Sequence, residues 1–364
     1  MKKVFVVLGT RPEAIKMSPV ICQLSQEGGI EVVTCFTGQH KELVDPILSL
    51  FDISVKYSFD IMKPKQDLFY LSEVLLRKFH EVLVEENPDV VLVQGDTSSA
   101  FVAALAAFYL HIPVGHIEAG LRTYEKDPFP EEFNRVAIDA ISSYFFVPTD
   151  NAKRNLLNEG KNSSSIIVTG NTVIDTFETT IIDEYVHPEL EWALGSKLIL
   201  LTAHRRENQG ENMYDMFRGI KKVLQDYSDV KILFPVHPNP IVKECAYTVF
   251  GGMKNIHLIP PLDVVDFHNI LKRCYFVLTD SGGIQEEAPS FGKPVLIMRS
   301  SSEREEGVVA GCAKVIGTSA QNIYDECKRL LDNTQEYKKM IPNTNPYGDG
   351  SASKRIARFI VENV

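Results

Sequence analysis

No two cysteines in this 364-residue chain stand at C-x-x-C spacing. The six present, Cys22, Cys35, Cys245, Cys274, Cys312 and Cys327, lie mostly among apolar neighbours. That pattern predicts reduced, buried thiols rather than a zinc ribbon or a redox pair. Basic tracts are missing as well, and the net charge is −10. Nucleic acid is therefore not expected as a main partner, while a small anion held by a few local cations is compatible. The longest apolar run, Phe101 to Leu110, falls well short of the roughly 20 residues that span a bilayer. Lys2-Lys3 precede another apolar run, but it ends at Gly9 and meets Arg11, Glu13 and Lys16, too short for a secretory leader. Neither G-x-G-x-x-G nor G-x-x-x-x-G-K-[ST] occurs, which removes the sequence support for a nicotinamide dehydrogenase or a P-loop kinase.

What is present is an ordinary globular composition, 44% apolar and 24% charged, on a chain long enough for two domains. Apolar runs and helical patterns alternate. Val4–Leu8, Val32–Phe36, Val90–Val93, Val114–Ile117 and Tyr144–Val147 read as buried strands, with helices over Leu68–Glu86 and Ser98–Leu110. A second set of strands follows: Ile166–Thr169, Leu198–Thr202, Lys231–Val236, Ile256–Ile259, Phe276–Thr279 and Val295–Met298. A last helix, Ala352–Val364, comes after a turn-rich stretch. This β-α repetition predicts an α/β protein of two Rossmann-like, doubly wound domains facing across a cleft, with a boundary near residues 168–172.

The plainest ligand signal is the stretch from Val277 to Ala288. Its apolar run breaks at Ser281-Gly282-Gly283 and resumes with helical character at Ile284. Strand, glycine turn and helix start aim backbone N–H groups at an anion, and glycine lets a phosphate approach the chain. Glu287, one turn on, is spaced to take ribose hydroxyls. The plain alternative is an ordinary strand–turn–helix corner.

Ligands of parallel α/β sheets bind beyond the carboxyl ends of the strands. Polar residues gather at those ends: Arg11, His40, Asp96, Glu118, His204, His237 and Ser281. Arg11 and Lys16 read either as partners of a diphosphate or as solvated helix-start charges. Asp96 reads as the N-cap of the next helix or as an acid/base. Glu118, between apolar residues, reads as a proton-transfer carboxyl or as the buried partner of Arg122 or Arg135. Glu131 and Glu132 suit a helix N-terminus or a catalytic role. His204-Arg205-Arg206 reads as surface charge or as a cradle for a leaving phosphate. His204 and His237 have no carboxylate or cysteine at metal spacing, which argues against a metal centre.

Several motifs follow one another over nearly the whole chain. They are Gly9-Thr10-Arg11-Pro12-Glu13-Ala14-Ile15-Lys16, Gly95-Asp96-Thr97, His116 to Thr123, Pro130-Glu131-Glu132, Gly170 to Asp175, His204-Arg205-Arg206-Glu207, Thr279 to Pro289, and Asn345 to Gly350. On these the sequence resembles the non-hydrolysing UDP-N-acetylglucosamine 2-epimerases. The resemblance implies a GT-B architecture: a first domain over 1–168, joined by the C-terminal helix 352–364, and a UDP-binding domain over 169–351. It implies a cytoplasmic homodimer, without metal or redox cofactor, that interconverts UDP-GlcNAc and UDP-ManNAc for envelope polysaccharides. It makes Asp96, Glu118 and Glu131 the acid/base carboxylates, with His204 assisting the departing UDP. Arg11, Lys16, Ser281, Gly282, Gly283, Glu287 and Arg304 would hold the UDP-sugar, with Phe267 near the base. Some bacterial members bind a second UDP-GlcNAc as activator, and Gln39, His40, Arg205 and His237 match part of that site. Three departures stand out. The segment Thr123 to Phe129 is one residue shorter than the bacterial pattern, Leu262 replaces a polar residue common beside the uracil, and Lys65 stands where some activated members have arginine.

The residues also fit the chemistry on its own terms. The C2 proton of a pyranose is not next to a carbonyl, so direct abstraction is too costly. Elimination avoids this. UDP leaves C1 while a base takes the C2 proton, giving 2-acetamidoglucal; UDP then re-adds and C2 is protonated from the opposite face. Inversion needs acid/base groups on two faces and strong stabilisation of the departing diphosphate. A GT-B glycosyltransferase would share the nucleotide features but has less use for three carboxylates. A hydrolysing epimerase is disfavoured by the Gly9–Glu13 start, and a silent UDP-sugar sensor by intact Asp96, Glu118 and Glu131.

Overall fold

A computed structural model describes residues 1–39, 41–61 and 67–364. His40 and Lys65, both singled out above, lie outside the described residues. The chain divides into two compact units, Met1–Thr179 with Gly348–Val364, and Thr180–Tyr347.

The first unit holds strands β1 Lys2–Leu8, β2 Ile30–Phe36, β3 Tyr57–Ser58, β4 Val90–Gln94, β5 Val114–Ile117, β6 Tyr144–Val147 and β7 Ile166–Val168. They form one parallel sheet in the order β3-β2-β1-β4-β5-β6-β7. The second unit holds β8 Lys197–Thr202, β9 Val230–Pro235, β10 Ile256–Ile259, β11 Phe276–Thr279, β12 Val295–Ile297 and β13 Ala313–Val315. Their order is β10-β9-β8-β11-β12-β13, again parallel. Each sheet reverses its strand order once, between β1 and β4 and between β8 and β11. This is the doubly wound α/β class expected from the sequence, and such reversals are where ligands bind.

Helices cover both faces of each sheet, which explains the unbroken apolar runs. In β1, Phe5 and Val7 enter one core with Phe79 and Val91, while Val4, Val6 and Leu8 enter the other with Met17 and Leu24. The last helix, Ala352–Asn363, adds Ile356, Ala357 and Ile360 to that second core. All six cysteines are unpaired; five are buried and Cys22 is half-buried. No described helix is long and apolar enough to cross a membrane.

The sequence reading differs from the structure at three strands. The sequence order places Ile166–Thr169 in the second set, but β7 pairs with β6, Phe145 opposite Ile166. A three-residue apolar strand looks the same in either sheet, and only its register tells them apart. Strands β3 and β13 went unseen. They are two and three residues long and lie at sheet edges, too short to show a period.

Under the β4–β5 edge lies a buried charge network. The Asp139 carboxylate meets His116 Nδ1 at 2.6 Å and Arg122 Nη1 at 2.8 Å, and accepts the Gly120 N–H at 3.1 Å. Arg122 also grips Glu159 with two bonds of 2.7 Å. Burial alone would raise the Asp139 pKa, but His116 and Arg122 override it and hold the group below its ordinary 3.8. Removing one member of such a network strands the others without compensation. We expect Asp139→Ala to cost about 3–5 kcal/mol in urea unfolding, and Asp139→Asn less, since the amide keeps part of the bonding. A loss below about 1 kcal/mol for alanine, no more than an exposed pair is worth, would show that the network does not hold this edge. Because the folded pKa is depressed, the wild-type contribution is complete above pH ~4 and disappears as pH falls through the lower folded value.

Candidate active site

In the first unit, the candidates lie on the loops that follow β1, β4 and β5. Thr10 precedes the helix Arg11–Gln26, which presents Arg11 at its first position and Lys16 in its second turn. Arg11 and Lys16 are both half-buried. Gly95-Asp96-Thr97 follows β4 and Glu118 follows β5.

Glu118 has the left-handed backbone, φ +67°, an uncommon and strained conformation for a residue with a side chain. Its N–H donates to Phe146 O at 2.9 Å. Its carboxylate is ion-paired with Lys16 and accepts Gln94 Nε2 at 2.9 Å and Asn171 Nδ2 at 3.4 Å. The pairing with Arg122 or Arg135 weighed above is not made. Arg122 serves Asp139 and Glu159, and Arg135 Nη2 lies 2.8 Å from Asp96 Oδ2.

Asp96 is not an N-cap. Thr97 takes that role for the helix Ser98–Tyr109, accepting the Ala100 N–H at 3.0 Å. The Asp96 carboxyl is left to Arg135, with 30% of the side chain accessible. Burial raises its pKa above the ordinary 3.8; Arg135 opposes this, and Glu118 and Glu131 add to it. Three carboxylates thus share one neighbourhood, the arrangement that pushes an acid toward the range useful for proton transfer.

The adjacent acids Glu131 and Glu132 separate clearly. Glu131 is half-buried at the start of the helix Glu131–Ile141. Glu132 is buried, and its Oε1 accepts the N–H groups of Thr123 and Tyr124 at 3.0 and 3.1 Å. It anchors the shortened Thr123–Phe129 segment from below.

In the second unit, the loops after β8 and β11 are tied together by Asp280. This fully buried carboxylate accepts the His204 N–H at 3.0 Å, the Arg205 N–H at 3.0 Å and Asn208 Nδ2 at 3.0 Å. Asp280, directly before Ser281, is a functional residue that the motif pattern does not single out. The signal was there: an acid closing an otherwise apolar strand has to find donors.

Ser281 is the N-cap of the short helix Gly282–Glu287, yet its hydroxyl makes no capping bond. Its N–H goes to Thr279 Oγ1 at 2.8 Å. Gly282 lies directly against a side chain from the loop after β12. A Cβ there would stand 2.6 Å from Arg304 Cζ, because the guanidinium lies against the turn. Arg304 is held by Glu286 at 2.8 Å and Glu303 at 2.6 Å. At Gly283 the nearest atom to a Cβ would be Glu287 Oε1, 3.8 Å away, so that face of the turn is open.

Glu287 Oε2 lies 3.8 Å from His268 Nε2, and His268 Nδ1 shares a hydrogen with Thr180 Oγ1 at 2.8 Å. Phe267 is half-buried in the helix Val264–Arg273.

His204 and His237 stack with ring centres 5.5 Å apart. Burial holds His204 below its ordinary 6.5; Asp280 opposes this, and Arg205 and His237 add to it. Arg205 approaches Glu303 at 3.8 Å. Gln39 sits half-buried in the turn after β2. Among the described residues, no three His, Cys, Asp or Glu side chains are placed to hold a metal ion.

These motifs have close counterparts. A family model described as UDP-N-acetylglucosamine 2-epimerase matches residues 22–361. The UDP-N-acetylglucosamine 2-epimerase of Bacillus subtilis strain 168 is 50% identical over 360 residues, 99% of this chain and 95% of its own length. The structure of S. aureus MnaA solved with UDP superposes with a TM-score of 0.94 at 48% identity, covering 100% of this chain and 96% of that one. The Neisseria meningitidis UDP-GlcNAc 2-epimerase, solved bound to UDP-GlcNAc, superposes with a TM-score of 0.93 at 43% identity over 99% of this chain and all of that one. Matched along nearly its whole length by the family model and by relatives alike, the chain belongs to the UDP-N-acetylglucosamine 2-epimerase family.

Proposed function

We propose that this protein is a non-hydrolysing UDP-GlcNAc 2-epimerase that works by elimination and re-addition of UDP. The observation that carries the reading is the group of three carboxylates, Asp96, Glu118 and Glu131, with Asp96 held above its ordinary pKa. In this scheme they take the C2 proton from one face and return one to the other. Ser281, with a hydroxyl not spent on its own helix, and the N–H groups of the Gly282-Gly283 helix start bind the diphosphate. Arg11, Lys16 and Arg304 complement its charge, Phe267 meets the base and Glu287 the ribose. His204 stabilises UDP as it departs. The family resemblance extends the proposal to a cytoplasmic homodimer supplying UDP-ManNAc for envelope polysaccharides. Gln39, Arg205 and His237 remain the proposed contacts for a second, activating UDP-GlcNAc.

The test is incubation with UDP-GlcNAc alone in deuterium oxide, followed by proton NMR. UDP-ManNAc carrying deuterium at C2 is expected. Free ManNAc with UDP would identify a hydrolase, and no change would favour a transferase or a sensor. Epimerised product that retains its original C2 hydrogen would sink the elimination step. Asp96→Asn and Glu131→Gln should each lose about 10²–10⁴-fold in rate while still binding UDP.

Calorimetry checks the phosphate contacts. Arg11→Ala and Ser281→Ala should each weaken UDP binding by about 1–3 kcal/mol, and wild-type affinity in both would refute the assigned site. The depressed His204 pKa adds a linkage. A bound diphosphate favours the protonated imidazole, so UDP binding should take up protons at pH values between the lowered free-state pKa and the higher bound-state one. Titrations in buffers of different ionisation enthalpy should show this uptake in the wild type and not in His204→Ala.

A further inference from the structure

Glu13 is a buried acid for which the proposed chemistry has no task. Its Oε2 accepts the Thr10 N–H at 2.6 Å, one half of a capping box at the start of the helix that carries Arg11 and Lys16. A capping-box glutamate ordinarily serves only its own helix. Here the side chain is 2% exposed, and its other oxygen, Oε1, accepts the Thr97 hydroxyl at 2.9 Å. Thr97 belongs to a different βα turn. It directly follows Asp96 and caps the next helix through the Ala100 N–H at 3.0 Å. One carboxyl therefore joins the two turns that flank the strand-order reversal of the first sheet.

The packing is built around this bridge. A Cβ on Gly9 would stand 2.7 Å from both Glu13 Oε2 and Ser99 Cβ, so the β1 turn has room only because residue 9 is glycine. Burial pushes the Glu13 carboxyl up to about 7, against the bonds from Thr10 and Thr97, with Asp96 the charged neighbour that adds to the rise. Near neutral pH the bridge does not need a full charge, and glutamine, with one acceptor and one donor, can span both contacts.

We propose that Glu13 is a positioning residue for the epimerisation: its carboxyl fixes the turn bearing Asp96 against the turn bearing Arg11, so the proton-transfer group keeps its place relative to the phosphate-side groups of the first unit. The inference rests on the function proposed above.

The experiment compares wild type, Glu13→Gln and Glu13→Ala in UDP-GlcNAc epimerisation, with active sites counted by UDP titration and Tm recorded for each. Displacing a reacting group by about 1 Å costs up to ~10²-fold. Glu13→Ala should lose about 10- to 100-fold in kcat with KM changed by less than about 3-fold, and Glu13→Gln should recover kcat to within about 3-fold of wild type. A lower Tm with wild-type kcat per site would overturn the inference and leave Glu13 a purely structural cap, as would a glutamine variant as slow as alanine. Should Glu13→Ala not fold, Thr97→Ala and Thr97→Ser read the same bond from its other end. Serine restoring a kcat lost in alanine is expected, and equal kcat values would overturn the proposal. Wild-type protein that does not epimerise UDP-GlcNAc would overturn the proposed function first and this inference with it.

Discussion

The turn from Gln94 to Thr97, buried at Gln94 and Gly95 and half-buried at Asp96 and Thr97, bonds its polar groups to partners from elsewhere in the first unit, and the unit is arranged around those bonds. The Gly95 N–H reaches Ile117 O at 2.9 Å, and the Gly95 carbonyl meets His116 Nε2 at 2.8 Å. The Asp96 carbonyl accepts Asn134 Nδ2 at 2.9 Å, and the Thr97 hydroxyl bonds Glu13. The partners come from three elements: β5, the helix Glu131–Ile141 and the helix Arg11–Gln26. A buried polar group left unmatched costs on the order of 1–3 kcal/mol, so each bond constrains the element that supplies it. His116 also faces the Asp139 carboxylate through Nδ1. Its two ring nitrogens are both engaged, one on each side. The Asp139 network thus reaches the Asp96 turn through His116.

The second unit solves the same problem with one residue. Asp280 gathers donors from the loop after β8 while standing at the end of β11. Both units thus place a buried acceptor at the reversal of strand order, where two loops diverge and their N–H groups would otherwise go unmatched. The second site adds charge. Arg205, Arg299 and Arg304 together outweigh burial at Glu303 and hold its carboxyl down to about 2.

Strand positions were legible in the sequence because strands covered on both faces leave continuous apolar runs. Val4 to Leu8 and Val277 to Thr279 could be read directly. Edges were not legible: two residues at Tyr57–Ser58 have no period to detect. Nor was sheet membership, since nothing local in Ile166–Val168 says which neighbour it joins. The helix start after Asp96 was visible, but not that Thr97 rather than Asp96 caps it. Both residue types cap well, and the choice depends on Arg135, 39 positions away in the sequence. For the same reason the alternative pairing of Glu118 with Arg122 or Arg135 could be set aside only in the structure. Ion pairs are tertiary facts, and Lys16 comes to it from the helix after β1, 102 positions away in the sequence. Glu13 and Asp280 do leave local signals, a T-x-x-E capping box and an acid closing an apolar strand, but the second loop each one ties down is a tertiary fact.

The closing helix bears on how the molecule is made. Ile356, Ala357 and Ile360 are core residues of the first unit, yet they are synthesised after every residue of the second. Thr180–Tyr347 is in effect an insertion inside a unit that has both its ends elsewhere. On the ribosome the second unit has its full sequence in hand while the first still shows an uncovered apolar patch on the helix Arg11–Gln26. Domains fold as units during synthesis, and exposed apolar surface invites misassembly. The order of completion is thus inverted relative to the order of translation, and the first unit's early-made strands must wait for the last dozen residues before their core is closed.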